Sequence, residues 1–273
     1  MSEENPKNLS IGIVYEGNTD YLILNGIVRH IIGCRDCLPL QPSHDLKKSL
    51  YRPGWKGVLR WCQAHGSPDS ALDWNNDGQF LVVDRVKVDL LIIHLDGDVS
   101  RNEDNRIVHC MSGCPSARNC QHYGQKTVNP LSCDTKTCPV KIPCPEHAPN
   151  PDGYTSHLSR LILDLLKAPK AASDRICPVI ICDSMEAWII SAYDKTPNPE
   201  AILNPYETVI AKSKAYHGLR IHRKGNKKDV TVYREFLKTL KANWEHVKTQ
   251  CPSAQRFEDS VCHALQIAPA KSP

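Results

Sequence analysis

The chain has 273 residues, a formal net charge of +4, 41% hydrophobic residues and 13 cysteines. That length supports one large domain or two small ones with a full core, and so mild a charge neither demands nor excludes nucleic acid. No apolar run approaches the roughly 20 residues that span a bilayer, and Met1 to Lys7 lacks the basic-then-apolar order of a signal peptide. A cytoplasmic protein with no membrane contact is therefore expected. The odd cysteine count in such a compartment points away from a disulfide framework and towards metal binding.

Ser10 to Val14 is an apolar run rich in β-branched residues, followed by Glu16-Gly17-Asn18-Thr19-Asp20 and then by Leu22, Ile23, Ile27 and Ile31 at helical spacing. This order predicts strand, tight turn, helix. Glu16 then lies at the carboxyl end of a strand, where open α/β sheets bind ligands. Cys34 and Cys37 form a lone Cys-x-x-Cys pair without a second ligand pair or a thioredoxin-like context, so two reduced thiols in a loop is the favoured reading. Tyr51 to His65 predicts a helix with Trp55, Val58, Leu59 and Cys62 on one side, Asp73 to Gly78 a loop, and Phe80 to Val83 a strand. Val88 to Leu95 predicts another strand, nearly continuously apolar over Leu90 to Ile93, as a central parallel strand covered on both faces would be. It runs into Asp96-Gly97-Asp98, where Gly97 lets two carboxylates project close together.

From Ser100 to about Gly153 the composition changes. His109, Cys110, Cys114, Cys120, His122, Cys133, Cys138, Cys144 and His147 lie among prolines, asparagines and glycines with few large apolar residues. Such a segment cannot build a hydrophobic core, and thiolate and imidazole are the preferred ligands of tetrahedral zinc, which can substitute for one. The spacings match no common finger, and a disordered loop with free thiols is the alternative.

Leu158, Leu161, Ile162, Leu165 and Leu166 recur at helical intervals, and Ala168-Pro169 ends that helix. Ile176 to Cys182 predicts a strand and Asp183 to Tyr193 a helix. Asp183 has the chemistry of an N-cap with Glu186 in capping-box position; alternatively, Glu186 faces Glu16 and the Asp96/Asp98 pair as a further metal ligand. Thr196 to Pro205 reads as a connection. Lys212, Lys214, Arg220, His222, Arg223, Lys224, Lys227 and Lys228 then form a basic run, either a solvated loop or a surface for a phosphodiester backbone. A helix is predicted over about Val232 to Gln250 and a short one over Ala254 to Leu265. No GxxxxGK[ST] phosphate loop occurs.

A strand ending in Glu16-Gly17-Asn18-Thr19-Asp20, with a later strand ending in Asp96-Gly97-Asp98, resembles the Toprim domain shared by topoisomerases, primases and nucleases of the overcoming-lysogenization-defect type. The later Glu186-Ala187-Trp188 pattern and the Lys-rich tail are similar to a small bacterial Toprim family often encoded beside AAA-type ATPases in phage-defence loci. The resemblance implies an α/β fold, a Rossmann-like Toprim core with a mainly parallel sheet flanked by helices. The chain then divides into a first core part over 1–99 with an insertion at about 34–79, the cysteine-rich insertion over 100–153, a second core part over 154–195, and a basic, helical C-terminal region over 196–273.

The resemblance further implies Glu16 as a catalytic acid/base or metal ligand, with Asp96 and Asp98 as Mg²⁺ (or Mn²⁺) ligands. Clustered carboxylates call for such a cation. Glu186 is the candidate ligand for a second ion, Lys212 or Lys214 would offset charge building on a phosphate, and Arg220, Arg223, Lys224, Lys227 and Lys228 would hold the nucleic acid. The expected function is a metal-dependent endonuclease acting on DNA or RNA, an anti-phage effector working with an AAA- or ABC-type ATPase and carrying structural Zn²⁺. Self-association into a homo-oligomer is left open. Two alternatives stand beside it: a non-catalytic nucleic-acid-binding or regulatory subunit, and phosphotransfer or hydrolysis on a small phosphorylated substrate.

Overall fold

A computed structural model describes residues 9–34, 36–42, 51–66, 72–74, 81–83, 86–100, 107–109, 127–128, 142–143, 151–167, 174–202, 204–218, 221 and 229–265. In chain order the elements are β1 (Ile11–Val14), α1 (Asn18–Ile32), β2 (Leu38–Gln41), α2 (Trp55–His65), β3 (Leu72–Trp74), β4 (Leu81–Val83), β5 (Val86–Val88), β6 (Leu90–Asp96), β7 (Ile107–His109), β8 (Thr127–Val128), β9 (Ile142–Pro143), α3 (Pro151–Leu166), β10 (Ile176–Ile181), α4 (Glu186–Tyr193), α5 (Pro205–His217), α6 (Val230–Ala242), α7 (Trp244–Gln250) and α8 (Pro252–Ala264).

Four strands form the central sheet in the order β10-β6-β1-β2, all parallel. Period-two alternation sends their side chains into two cores. Ile11, Ile13, Tyr15, Leu90, Ile92, Val179 and Ile181 pack with α1, α4 and the helices that follow. Val14, Leu91, Ile93, Leu95, Ile176 and Ile180 pack with α2 and α3. Both faces are thus covered, which is why β6 reads as an unbroken apolar run. The result is an α/β protein whose parallel sheet is flanked by helices, compatible with a Rossmann-like core. From β1 the chain steps outward to β2 and later returns to the other side of β1 as β6, so the carboxyl ends of β1 and β6 form the topological switch point of the sheet. No helix among the described residues is long and apolar enough to cross a membrane.

Several elements depart from expectation. The segment 34–79, read as an insertion, supplies the edge strand β2 to the central sheet and α2 to the second core; Pro39 within β2 hides the strand pattern. The strand expected from Val88 is interrupted at Asp89, whose carboxylate accepts the Ser10 N–H at 2.8 Å. The preceding β4 and β5 belong to a separate antiparallel sheet with β3, which takes in Asp73 and Trp74 of the expected loop. The helix expected from Tyr51 begins at Trp55, after Gly54 at φ 99°. The long C-terminal helix is two, α6 and α7, divided at Asn243. The region from 196 onward shares the first core: Trp188 of α4 lies 5.5 Å from Trp244 and 5.8 Å from Phe257, ring centre to ring centre.

Within 100–153 the backbone of β7, β8 and β9 forms a small sheet in the order β8-β7-β9. The zinc candidates Cys110, Cys114, Cys120, His122, Cys133, Cys138, Cys144 and His147 lie outside the described residues, as do Arg220, Arg223, Lys224, Lys227 and Lys228.

Candidate metal centre

The switch point gathers the chain's acidic strand ends. Glu16 follows β1 and Asp96 closes β6, and the Asp96 N–H donates to Glu16 Oε1 at 2.8 Å. A second bond holds the Glu16 backbone from outside the sheet, where Gly54 N–H donates to the Glu16 carbonyl at 2.8 Å. Asp20 joins the group through the first turn of α1. Gly17 is the N-cap of that helix, and Asp20, three residues on, accepts the Gly17 N–H at 2.9 Å; this satisfies an orphan donor and turns the carboxylate back towards the sheet edge.

His94 completes the arrangement. It stands on β6 two residues before Asp96 and is fully buried, with Nδ1 3.0 Å from the Val179 carbonyl on β10. Its Nε2 lies 3.3 Å from Asp96 Oδ1, an ion-pair distance when the ring is charged, and makes no hydrogen bond of good geometry among the described residues. One ligand atom each from Asp20, His94 and Asp96 lie within 4.8 Å of one another. Asp96 also accepts the Met185 N–H at 3.3 Å and keeps 13% of its side chain exposed, which gives the cluster an opening.

The charges interact strongly. Desolvation, then the charge of Asp96, hold the Glu16 carboxyl well above its ordinary range, with Asp20 adding to the rise and His94 opposing it. Burial pushes the His94 imidazole down, but Asp96 beside it, with Asp20 and Glu16 further off, more than reverses this and raises it to about 9. Facing carboxylates and a buried imidazole require a proton or a cation among them. Two carboxylates and an imidazole nitrogen without a hydrogen-bond partner are donors suited to a divalent metal ion.

The other expected site residues lie elsewhere. Asp98 is exposed on the 3-10 turn that follows β6, Gly97–Ser100. Its N–H donates to the Asp183 carbonyl at 2.9 Å, and both residues line a cleft of about 340 Å³ with Ser184, Asn204, Tyr206 and Glu207. Asp183 is not the helix cap: α4 begins at Glu186 after Met185. Asp183 takes a left-handed conformation, φ 64°, and its carboxylate accepts the Asn204 N–H at 2.6 Å. Asn and Asp are among the few side-chain residues that visit this region.

Glu186 is fully buried, and its oxygens accept hydrogen bonds from Ser184 Oγ at 2.6 Å and from the Tyr233 hydroxyl. It belongs to the interior of the helical layer and is not part of the three-residue cluster. Lys212 pairs with Asp194 at 2.5 Å. Asp194 follows the last residue of α4, so that ion pair sits about 12 Å along the helix axis from Glu186. Lys214 is exposed further along α5. Both lysines are helical where a basic loop was expected, because Pro205 starts α5 and Gly218, at φ 80°, stops it.

Asp20 and His94 are the residues that sequence reasoning passed over. Asp20 stands inside the Glu-Gly-x-Thr-Asp motif, and His94 interrupts the apolar run of β6 two residues before its terminal Asp96, in phase with it by period two. Each signal is also ordinary cap or core chemistry until the fold sets the two side by side. No protein-family model matches the chain, no curated protein matches it, and no solved structure matches it.

Proposed function

We propose that this chain is a Toprim-type, metal-dependent endonuclease that cleaves phosphodiester bonds in DNA or RNA in the cytoplasm. In this reading it is the effector of an anti-phage system with an AAA- or ABC-type ATPase partner, and the thiols and imidazoles of 100–153 bind structural zinc. The observation that supports it most is the meeting of Glu16 with Asp96 at the switch point of a parallel sheet, with Asp20 and His94 beside them. The defence role and the ATPase rest on the resemblance of the Glu16-to-Asp20, Asp96-to-Asp98 and Glu186-to-Trp188 motifs.

Asp96 and Asp20 would hold a divalent ion, with His94 beside them. When bound, such an ion polarises a phosphoryl oxygen and makes an attacking water more acidic. Glu16 would handle the proton. Its Oε1 is engaged by the Asp96 N–H, which leaves Oε2 as the oxygen that would take or give the proton, on a carboxyl that desolvation and the Asp96 charge hold above the ordinary range. Asp98 and the adjoining cleft would face the strand on its way in.

The test is cleavage of plasmid, linear duplex, single strands and total tRNA with Mg²⁺ or Mn²⁺, alone and with the partner ATPase. Glu16→Gln and Asp96→Asn should each lose at least about 100-fold in rate while keeping wild-type circular dichroism. Variants that cut as well as the wild type would overturn the proposal. The exposure of Asp98 and the sealed position of Glu186 favour a second reading, a non-catalytic binding subunit. Tight binding of nucleic acid without cleavage under any of these conditions would select it.

A further inference from the structure

His94 sets this cluster apart from one built of carboxylates alone. A carbonyl oxygen can only accept, so the contact with Val179 places a proton on His94 Nδ1. In the neutral ring Nε2 then carries a lone pair, and it is this buried atom, without a hydrogen-bond partner among the described residues, that stands with the carboxylates of Asp20 and Asp96. Nε2 set against two carboxylates calls for something positive between them, either a proton on the ring or a metal ion that displaces it. Ligand atoms already within 4.8 Å of one another need only a small contraction to reach a common ion at about 2.0–2.2 Å from each.

We infer that Asp20, His94 Nε2 and Asp96 form a binding site for a first-row divalent transition ion of the Mn²⁺ kind, taken in preference to Mg²⁺. Magnesium favours oxygen ligands and keeps its waters, whereas imidazole nitrogen suits transition ions. The supporting contacts are in place: Val179 fixes the ring tautomer, the Gly17 N–H orients Asp20, and the Met185 N–H orients Asp96. Three protein ligands leave positions open to water or substrate on the side where Asp96 is exposed. The inference rests on the site chosen for the proposed function, but not on its substrate.

The experiment is Mn²⁺ and Mg²⁺ binding to the zinc-replete full-length protein, by calorimetry and by electron spin-echo envelope modulation of bound Mn²⁺. Thiolates favour softer ions, so Mn²⁺ leaves the cysteine-rich segment out of the measurement. The expected result is one Mn²⁺ per chain, held at least tenfold tighter than Mg²⁺, with nitrogen modulation from a directly coordinated imidazole. His94→Gln should abolish the modulation and weaken Mn²⁺ at least tenfold while changing Mg²⁺ little. Equal affinity for the two ions in the wild type, or Mn²⁺ without nitrogen modulation, overturns the inference and leaves a proton as the occupant beside Nε2. The spectroscopic readout needs no variant, so it decides the matter even if His94→Gln fails to fold. Nitrogen-coordinated Mn²⁺ in a protein that cleaves nothing would refute the nuclease and keep the site. Carboxylate-dependent cleavage with Mg²⁺ and no nitrogen coupling would do the reverse.

Discussion

Burying a carboxylate is costly unless its oxygens are hydrogen-bonded, and Glu186 meets that condition inside the protein. Ser184 and Tyr233 both donate to it, and the three residues tie the start of α4 to α6. Its role is therefore to join two helices. Replacing the donor tests this directly: Tyr233→Phe should lower unfolding stability by about 1–3 kcal/mol, because a buried carboxylate loses one of its hydrogen-bond donors. Urea titration measures the loss. Mn²⁺ affinity in the same variant should match the wild type, and a parallel fall would return Glu186 to the metal site. Asp96 is a different case, since its bonds leave part of the side chain open to solvent, as a ligand that must exchange water requires.

The turn leading into α2 reaches the site at the Glu16 backbone. Gly54 donates to the Glu16 carbonyl from a backbone conformation, φ 99°, that L side chains rarely adopt. Gly57, one turn later, has no room for a side chain: a Cβ there would lie 1.9 Å from the Arg52 carbonyl oxygen. Because that obstacle is backbone, it cannot rotate away. Gly57→Ala should therefore displace the 51–54 turn and cost about 1–3 kcal/mol as an overpacking change. If Glu16 acts as proposed, cleavage should slow as well. Thermal melting and the plasmid assay read the two effects, and unchanged values in both would show that the turn does not position Glu16.

Across the whole molecule, the sheet draws on chain segments from both sides of the cysteine-rich stretch. β6 precedes it and β10 follows it, and the two pair in parallel from Ile176 opposite Leu91 to Ile181 opposite Asp96. The cores on either face likewise combine residues from before and after it. The central fold should thus outlast damage to that stretch. If zinc orders it, chelation followed by limited proteolysis should cut the chain between 100 and 150 while the two fragments stay associated on a native gel. A protease pattern and zinc content unaffected by chelator would overturn the zinc proposal, and fragments that part would show that the sheet depends on the insert.

Local pattern was enough for β1 and α1, for β6, α3 and β10, and for Glu16 and Asp96 at strand ends, because periodicity and turn chemistry act over a few neighbouring residues. Periodicity gives a residue its face of an element but not its neighbours on other elements. Asp20 meets His94 and Asp96 only because β1 lies beside β6 in the sheet. The same pairing of distant segments seals Glu186 under Tyr233, holds Lys212 at the far end of α4, and makes β2, with a proline inside it, a member of the central sheet. Register and packing between segments tens of residues apart settled those placements, and no short window of sequence contains them.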